Sequence, residues 1–238
     1  GFSNLLAAER AAQAPARLEI FVGGLPLRRE PPWEYAAPFS PVDVVAEYER
    51  PARLKRAGRA VAEPALSGCR PFRLPPGLVP GFPDGTTLEA FLTDGLRSLL
   101  DLSVPEMAEF TLRYSGHAER FTALRDSGAL AGEQREATLA TLFRAWRLRP
   151  GEAEFTHLRV LATFADGSRR GWLVHDNGSQ GWSSMARTTG LTACAFAQQL
   201  LAGAITGPGV VMPEACAGAF PAVREYLQSR GVTVERVA

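Results

Sequence analysis

The segment Thr111-Leu112-Arg113-Tyr114-Ser115-Gly116-His117-Ala118-Glu119 holds the densest group of side chains able to bind charge or move a proton. Arginine suits a carboxylate because its planar fork donates two parallel hydrogen bonds. A histidine in the first turn of a helix can carry a proton near neutral pH. If a strand delivers Arg113 and Tyr114 beside a helix opened by Ser115-Gly116-His117, three functional groups surround one point. The same residues also fit a helix cap with a structural ion pair, and spacing alone leaves both readings open. Thr93-Asp94-Gly95, at another strand-to-helix transition, reads either as an ordinary cap or as a substrate contact.

Other chemistries find less support. A dinucleotide loop needs G-x-G-x-x-G after a strand, so that backbone amides at a helix start approach a pyrophosphate. Neither Gly23-Gly24 nor Gly207-Pro208-Gly209 has that spacing, and there is no P-loop. His117, His157 and His175 stand far apart, and no cysteine pair has metal-ligand spacing. His157 and His175 could face each other across a hairpin, but they read as partly exposed strand residues, and no metal is expected. Cys194, among small residues on a helix, reads as a small buried side chain rather than a nucleophile.

The elements that must position these groups follow from capping, turn chemistry and periodicity. Helices are expected over residues 4–13, 40–48, 115–127, 133–148, 191–201 and 213–229, with a short one ending near Leu102. Ser40-Pro41-Val42-Asp43 is the clearest helix start, with a serine cap, a first-turn proline and an acid. Strands are expected over 17–22, ending at Gly23-Gly24, and over 86–92, 107–114 and 232–237. Two hairpins join them, 53–63 turning at Ala57-Gly58 and 154–175 turning at Asp166-Gly167. Residues 26–38 and the Pro- and Gly-rich stretch 69–85 read as irregular connections. Strands and helices mix without strict alternation, so the expected fold is α+β, a mixed, largely antiparallel sheet covered by helices.

Composition narrows the partners. The chain has 238 residues, with 26 basic against 25 acidic side chains and a formal net charge of +1, so no polyanionic partner such as nucleic acid is expected. Lys55 is the sole lysine, and the arginines are scattered rather than clustered. The most apolar stretch, 190–212, is interrupted by Gln198, Gln199 and Pro208, so no membrane span is expected. Cys69, Cys194 and Cys216 fit no disulfide framework, which points to a reducing, cytoplasmic setting.

Several motifs recur together in one family. They are Gly1-Phe2-Ser3-Asn4, Gly23-Gly24-Leu25-Pro26, Phe39-Ser40-Pro41-Val42-Asp43-Val44-Val45, Pro64-Ala65-Leu66-Ser67 and Leu88-Glu89-Ala90-Phe91-Leu92-Thr93-Asp94-Gly95-Leu96. The Thr111–Glu119 segment and Met185-Ala186-Arg187-Thr188-Thr189-Gly190 complete the set. With them the chain resembles the C-terminal half of saccharopine dehydrogenase-like oxidoreductases, and among those it is most similar to lysine 6-dehydrogenase-type members. The resemblance implies NAD(P)-dependent hydride transfer at the CH–NH group of an amino acid. NAD or NADP would be bound mainly by an N-terminal Rossmann domain preceding Gly1, and this chain would not be competent without it. Residues 1–185 would form the substrate-binding and oligomerising domain of a homodimer. Residues 186–238 would form a helical segment that packs against the Rossmann domain. Within this picture Arg113 takes a substrate carboxylate and Asp94 a substrate ammonium, with Thr93 and Gly95 beside it. His117 and Tyr114 transfer a proton or orient the substrate, and Asn4 touches the nicotinamide end of the cofactor. The alternative is a stand-alone, non-catalytic module of the same fold that binds a small ligand or dimerises.

Overall fold

A computed structural model describes residues 1–238. The chain runs α1 (Phe2–Ala11), β1 (Arg17–Pro26), α2 (Pro41–Glu49), the hairpin β2 (Ala52–Arg56) and β3 (Arg59–Glu63), β4 (Arg70–Arg73) and β5 (Thr87–Leu92). A 3-10 turn at Arg97–Asp101 leads into β6 (Glu106–Arg113), α3 (His117–Asp126) and α4 (Arg135–Ala145). The hairpin β7 (Glu154–Thr163) and β8 (Arg169–Asp176) is followed by α5 (Ser184–Leu201), α6 (Phe220–Gln228) and β9 (Thr233–Val237).

All nine strands form one sheet: seven run in the order β3-β2-β6-β1-β7-β8-β9, and β5, paired with β4, branches from β6. The β1–β6 pair is parallel and the rest are antiparallel, so the sheet is mixed and mostly antiparallel as expected. The free side of β6 forks: its start pairs β2 through Met107 and Lys55, while its end pairs β5 from Leu92–Phe110 to Glu89–Arg113. One continuous hydrophobic core runs through the molecule, and residues 186–238 contribute Ala195, Val223, Leu227 and Val234 to it. Because β9 also pairs β8, those residues share the sheet of the preceding ones. No helix is long and apolar enough to cross a membrane.

Local chemistry explains the elements that hold the site. At the start of α2 the Ser40 hydroxyl accepts from the Asp43 backbone N–H at 3.4 Å, a cap worth about 1 kcal/mol. Ala57 and Gly58 both adopt positive φ (46° and 76°), the conformation a two-residue hairpin loop between β2 and β3 requires. Between β7 and β8, Gly167 takes φ 81° and the Asp166 carboxylate accepts from Ser168 N at 2.9 Å.

Four expectations need correction. β1 does not end at Gly23-Gly24 but continues to Pro26, paired with β7 throughout. These glycines serve close approach: a Cβ at Gly23 would lie 2.8 Å from Leu112 Cβ, and one at Gly24 2.7 Å from both Met185 and Pro38. The connection 69–85 contains a strand, β4, which borrows its partner from β5. α5 begins at Ser184 rather than residue 191, because the Ser183 hydroxyl caps it by accepting from Ala186 N at 3.2 Å. The helix expected over 213–229 is instead a 3-10 stretch over Pro213–Ala219, kinked at Cys216 (φ −100°, ψ 35°), followed by α6 from Phe220.

Candidate functional site

Side chains on a strand alternate between faces. On β6 this sends Glu109, Thr111 and Arg113 to one face, while Phe110 turns to the other and stacks on Phe21 at 5.2 Å. The polar row is buried, with Arg113 only 2% exposed. Thr93, just beyond β5, ties the row together. Its hydroxyl lies 2.8 Å from that of Thr111 and donates to Glu109 Oε2 at 3.5 Å.

Arg113 has no carboxylate partner. Its Nη1 donates to the Leu112 carbonyl at 2.8 Å, its Nη2 donates to the Tyr35 hydroxyl at 3.3 Å, and its Nε has no partner. The guanidinium lies 4.3 Å from the Tyr35 ring centre and 5.8 Å from that of Tyr48, so cation–π attraction replaces an ion pair. The structural ion pair considered for this arginine is therefore not made.

Asp94 is buried at the same end of the sheet, but its charge is taken. Arg53 grips it through Nε at 2.8 Å, Nη2 at 2.9 Å and its backbone N–H at 3.2 Å, and Arg50 adds a contact at 3.1 Å. Burial pushes its pKa up, but the Arg53 hydrogen bonds outweigh this and hold it below the ordinary value. A carboxylate already shared by two guanidinium groups is not free to receive an ammonium, which corrects the expected role of Asp94.

Gly95 leaves room for Glu109. A Cβ on Gly95 would overlap the Glu109 carboxyl. That carboxyl meets no arginine or lysine, and burial, then the nearby Glu47, push its pKa up to about 8. Glu47, on α2, is itself shifted upward by burial and stands near Arg113 without forming an ion pair.

His117 does not carry a proton near neutral pH. It is fully buried, and burial followed by the Arg113 charge pushes its pKa down to about 3. Its Nδ1 stands 3.4 Å from the Trp33 carbonyl, which can only accept, so Nδ1 bears the hydrogen. Nε2 then accepts from the Tyr48 hydroxyl at 3.2 Å. Tyr114, the other residue expected to transfer a proton or orient the substrate, has its hydroxyl already engaged. It points away from Arg113, toward Phe82, and its hydroxyl donates to the Pro26 carbonyl at 2.6 Å. Burial pushes its pKa up as well.

The remaining candidates lie elsewhere. The Asn4 amide donates to Glu214 Oε2 at 3.1 Å, beside the first residues of the chain. His157 and His175 do face each other across β7 and β8, with ring centres 5.8 Å apart, but both are buried rather than partly exposed. Both ring nitrogens of His157 lack partners, and no group of three or more metal-ligating side chains exists. Cys194 is exposed, because the outward face of α5 is not covered.

Sequence reasoning missed Tyr35, Tyr48, Glu47 and Glu109. The alternation Met107, Glu109, Thr111, Arg113 was the available signal for the polar row, and Tyr48 follows Val44 at helical spacing on the buried side of α2. It also missed Glu89. The Glu89 carboxylate accepts from Gly116 N and Ala118 N, each at 2.7 Å, and so caps α3 where Ser115 was expected to help.

A cleft of about 350 Å³ opens beside this row, lined by Phe2, Val22, Thr156, Met185, Thr188 and Phe196 among others. Val22 pairs in register with Thr111, so the cleft floor and the row share one face of the sheet on adjacent strands. The chain offers no glycine-rich loop at a helix start for a dinucleotide pyrophosphate.

A mixed sheet with helices on it, a buried unpaired arginine and a neighbouring cleft define an α+β domain with a candidate anion-binding site. The chain belongs to the saccharopine dehydrogenase C-terminal domain family, which matches residues 1–232. Its fold is similar to that of apo histidine-tagged saccharopine dehydrogenase (L-Glu forming) from Saccharomyces cerevisiae. The TM-score is 0.73 at 18% identity, over 100% of this chain and 72% of that one.

Proposed function

We propose that this chain is the substrate-binding part of an NAD(P)-dependent oxidoreductase acting on the CH–NH group of an amino acid, saccharopine or lysine dehydrogenase-like. The cofactor would sit mainly on an N-terminal Rossmann domain, and residues 186–238 would pack against that domain. When bound, NAD(P) would accept hydride from the carbon bearing the amine. This chain's residues would bind and orient the amino acid and keep water from it, which supplies much of the rate.

The observation that carries this reading is the buried, unpaired guanidinium of Arg113. A buried cation without an anion is unfavourable, and a substrate carboxylate would complete it. The carboxylate would displace the Tyr35 hydroxyl from Nη2 and meet Nε, giving the two-point contact that a guanidinium favours. Thr93 and Gly95 support the adjoining Glu109, and Asn4 would meet the nicotinamide end of the cofactor, since it directly follows Gly1, Phe2 and Ser3, which line the cleft. The open face of α5, with Ala193, Cys194 and Ala197 exposed, suits a further domain or a second copy in a homodimer. Three unpaired cysteines agree with a cytoplasmic setting.

Arg113→Ala in the full-length protein tests this. Turnover of L-saccharopine or L-lysine with NAD(P) should lose roughly 100-fold in kcat/KM. A change within a factor of two would make the carboxylate assignment wrong. NAD(P)H fluorescence titration separates the non-catalytic alternative: an upstream-extended protein should bind NAD(P)H and this chain alone should not.

A further inference from the structure

We infer that a pocket beside the C-terminal end of α1, away from the cleft, binds the phosphate group of a small organic molecule. Strand register and alternation build its wall. Arg236 on β9 lies directly opposite Trp172 on β8, and Arg170, two residues before Trp172, shares that face. α1 closes the pocket with Arg10 and Gln13, around a space of about 300 Å³. The guanidinium groups of Arg10, Arg236 and, from α6, Arg224 stand 5.3, 5.4 and 5.8 Å from the centre of the Trp172 ring. Arginines scattered along the sequence thus converge from four elements on one place.

The charges there are not balanced. The one acid lining the pocket is Glu9, and it is taken. Its carboxylate accepts from Arg10 Nε, from Arg10 Nη2 at 2.6 Å and from the Trp172 indole N–H at 2.8 Å. None of the chain's ion pairs involves Arg170, Arg224 or Arg236, and the Arg224 Nε is buried without a partner. Cation–π contact with Trp172 offsets part of the repulsion among these cations but neutralises no charge. The free forks of Arg170 and Arg236 beside one pocket suit an anion with more than one charge and several acceptor oxygens. Phosphate fits that description, whereas a carboxylate is satisfied by a single fork. A space of about 300 Å³ also reaches the size of pockets that hold small organic ligands, so the phosphate is carried on an organic group. The site is separate from the cleft: Phe2 borders the cleft, and Arg10 borders the pocket about 12 Å further along α1. It stands whether or not Arg113 anchors a substrate.

Isothermal titration of this chain with glycerol 3-phosphate, inorganic phosphate and acetate tests the inference. Glycerol 3-phosphate should bind once per chain with a Kd below about 1 mM, more tightly than inorganic phosphate and far more tightly than acetate. Inorganic phosphate binding as tightly as the ester overturns the organic group, and acetate binding as tightly overturns phosphate. No binding of any of the three overturns the pocket. Arg170→Gln and Arg236→Gln should each weaken the ester about tenfold, and Arg236→Lys, which keeps the charge but not the fork, should fall between parent and Arg236→Gln. Arg149→Gln, at an exposed arginine paired with Glu30 in another region, should leave binding unchanged; an equal loss there would mean that overall charge and not the pocket attracts the anion. Thermal melts separate lost binding from lost folding. Glycerol 3-phosphate should raise the melting temperature of the parent but not that of the variant carrying both Arg170→Gln and Arg236→Gln. An equal rise in the two overturns the proposal.

Discussion

Glu109 places its carboxyl in the space that a side chain at Gly95 would fill, so the absence of a Cβ at one residue permits a buried acid at the other. Thr93 secures the same carboxyl, and no cation neutralises it. Gly95 is thus needed for room, since its φ is not in the left-handed region.

Gly95→Ala should therefore destabilise the protein by about 1–3 kcal/mol through overpacking. Adding Glu109→Ala should relieve most of that loss. Urea unfolding of both single variants and the double variant gives the coupling directly, and additive losses would show that the two residues do not share the space.

Glu109 also makes stability depend on pH. Its pKa rises from 4.5 to about 8 on folding, so the folded state keeps a proton that the unfolded chain releases. The associated stability is fully present below pH 4.5 and is lost as pH climbs through 8. Wild type should lose stability relative to Glu109→Gln between those values, at a slope no steeper than about 1.4 kcal/mol per pH unit. Parallel stability curves from pH 5 to pH 8.5 would contradict a neutral buried carboxyl.

His157 works in the opposite direction. Burial, then His175 and Arg159, push its pKa from 6.5 down to about 3. Stability linked to its neutral form is present above pH 6.5 and is lost as pH falls toward 3. Because both ring nitrogens are unpartnered, His157→Phe should raise stability by about 1 kcal/mol at pH 7. The gain should widen at pH 5. Thermal melts at the two values decide this, and a destabilised variant at pH 5 would count against it.

Glu89 ties the start of α3 to β5. Glu89→Gln should weaken the two bonds to Gly116 N and Ala118 N and remove the favourable charge at the helix start, for a loss of about 1–2 kcal/mol. Amide exchange at Ala118 should accelerate more than exchange in β7. Uniform acceleration would mean that the cap has no local role.

Much of the scaffold was legible because its determinants are local. The Ser40 cap, the Ala57-Gly58 turn and the Asp166-Gly167 turn each depend on residues within a few positions of one another. Arg113 at a strand end and His117 at a helix start were legible for the same reason. β4 was hidden because its residues, Arg70–Arg73, become a strand only by pairing with Thr87–Ala90.

The sequence by itself determined which residues share one face of β6, since alternation depends only on backbone geometry. It also carried the family, now shown over residues 1–232. What those side chains do was decided by the tertiary structure, because charge and protonation follow from neighbours distant in sequence. Asp94 is neutralised by Arg53, 41 positions away, and burial keeps His117 neutral while the Trp33 carbonyl, 84 positions away, fixes its hydrogen on Nδ1. Arg113 alone among the expected residues kept a charge that nothing in this chain pairs, because the side chains that enclose it are aromatic.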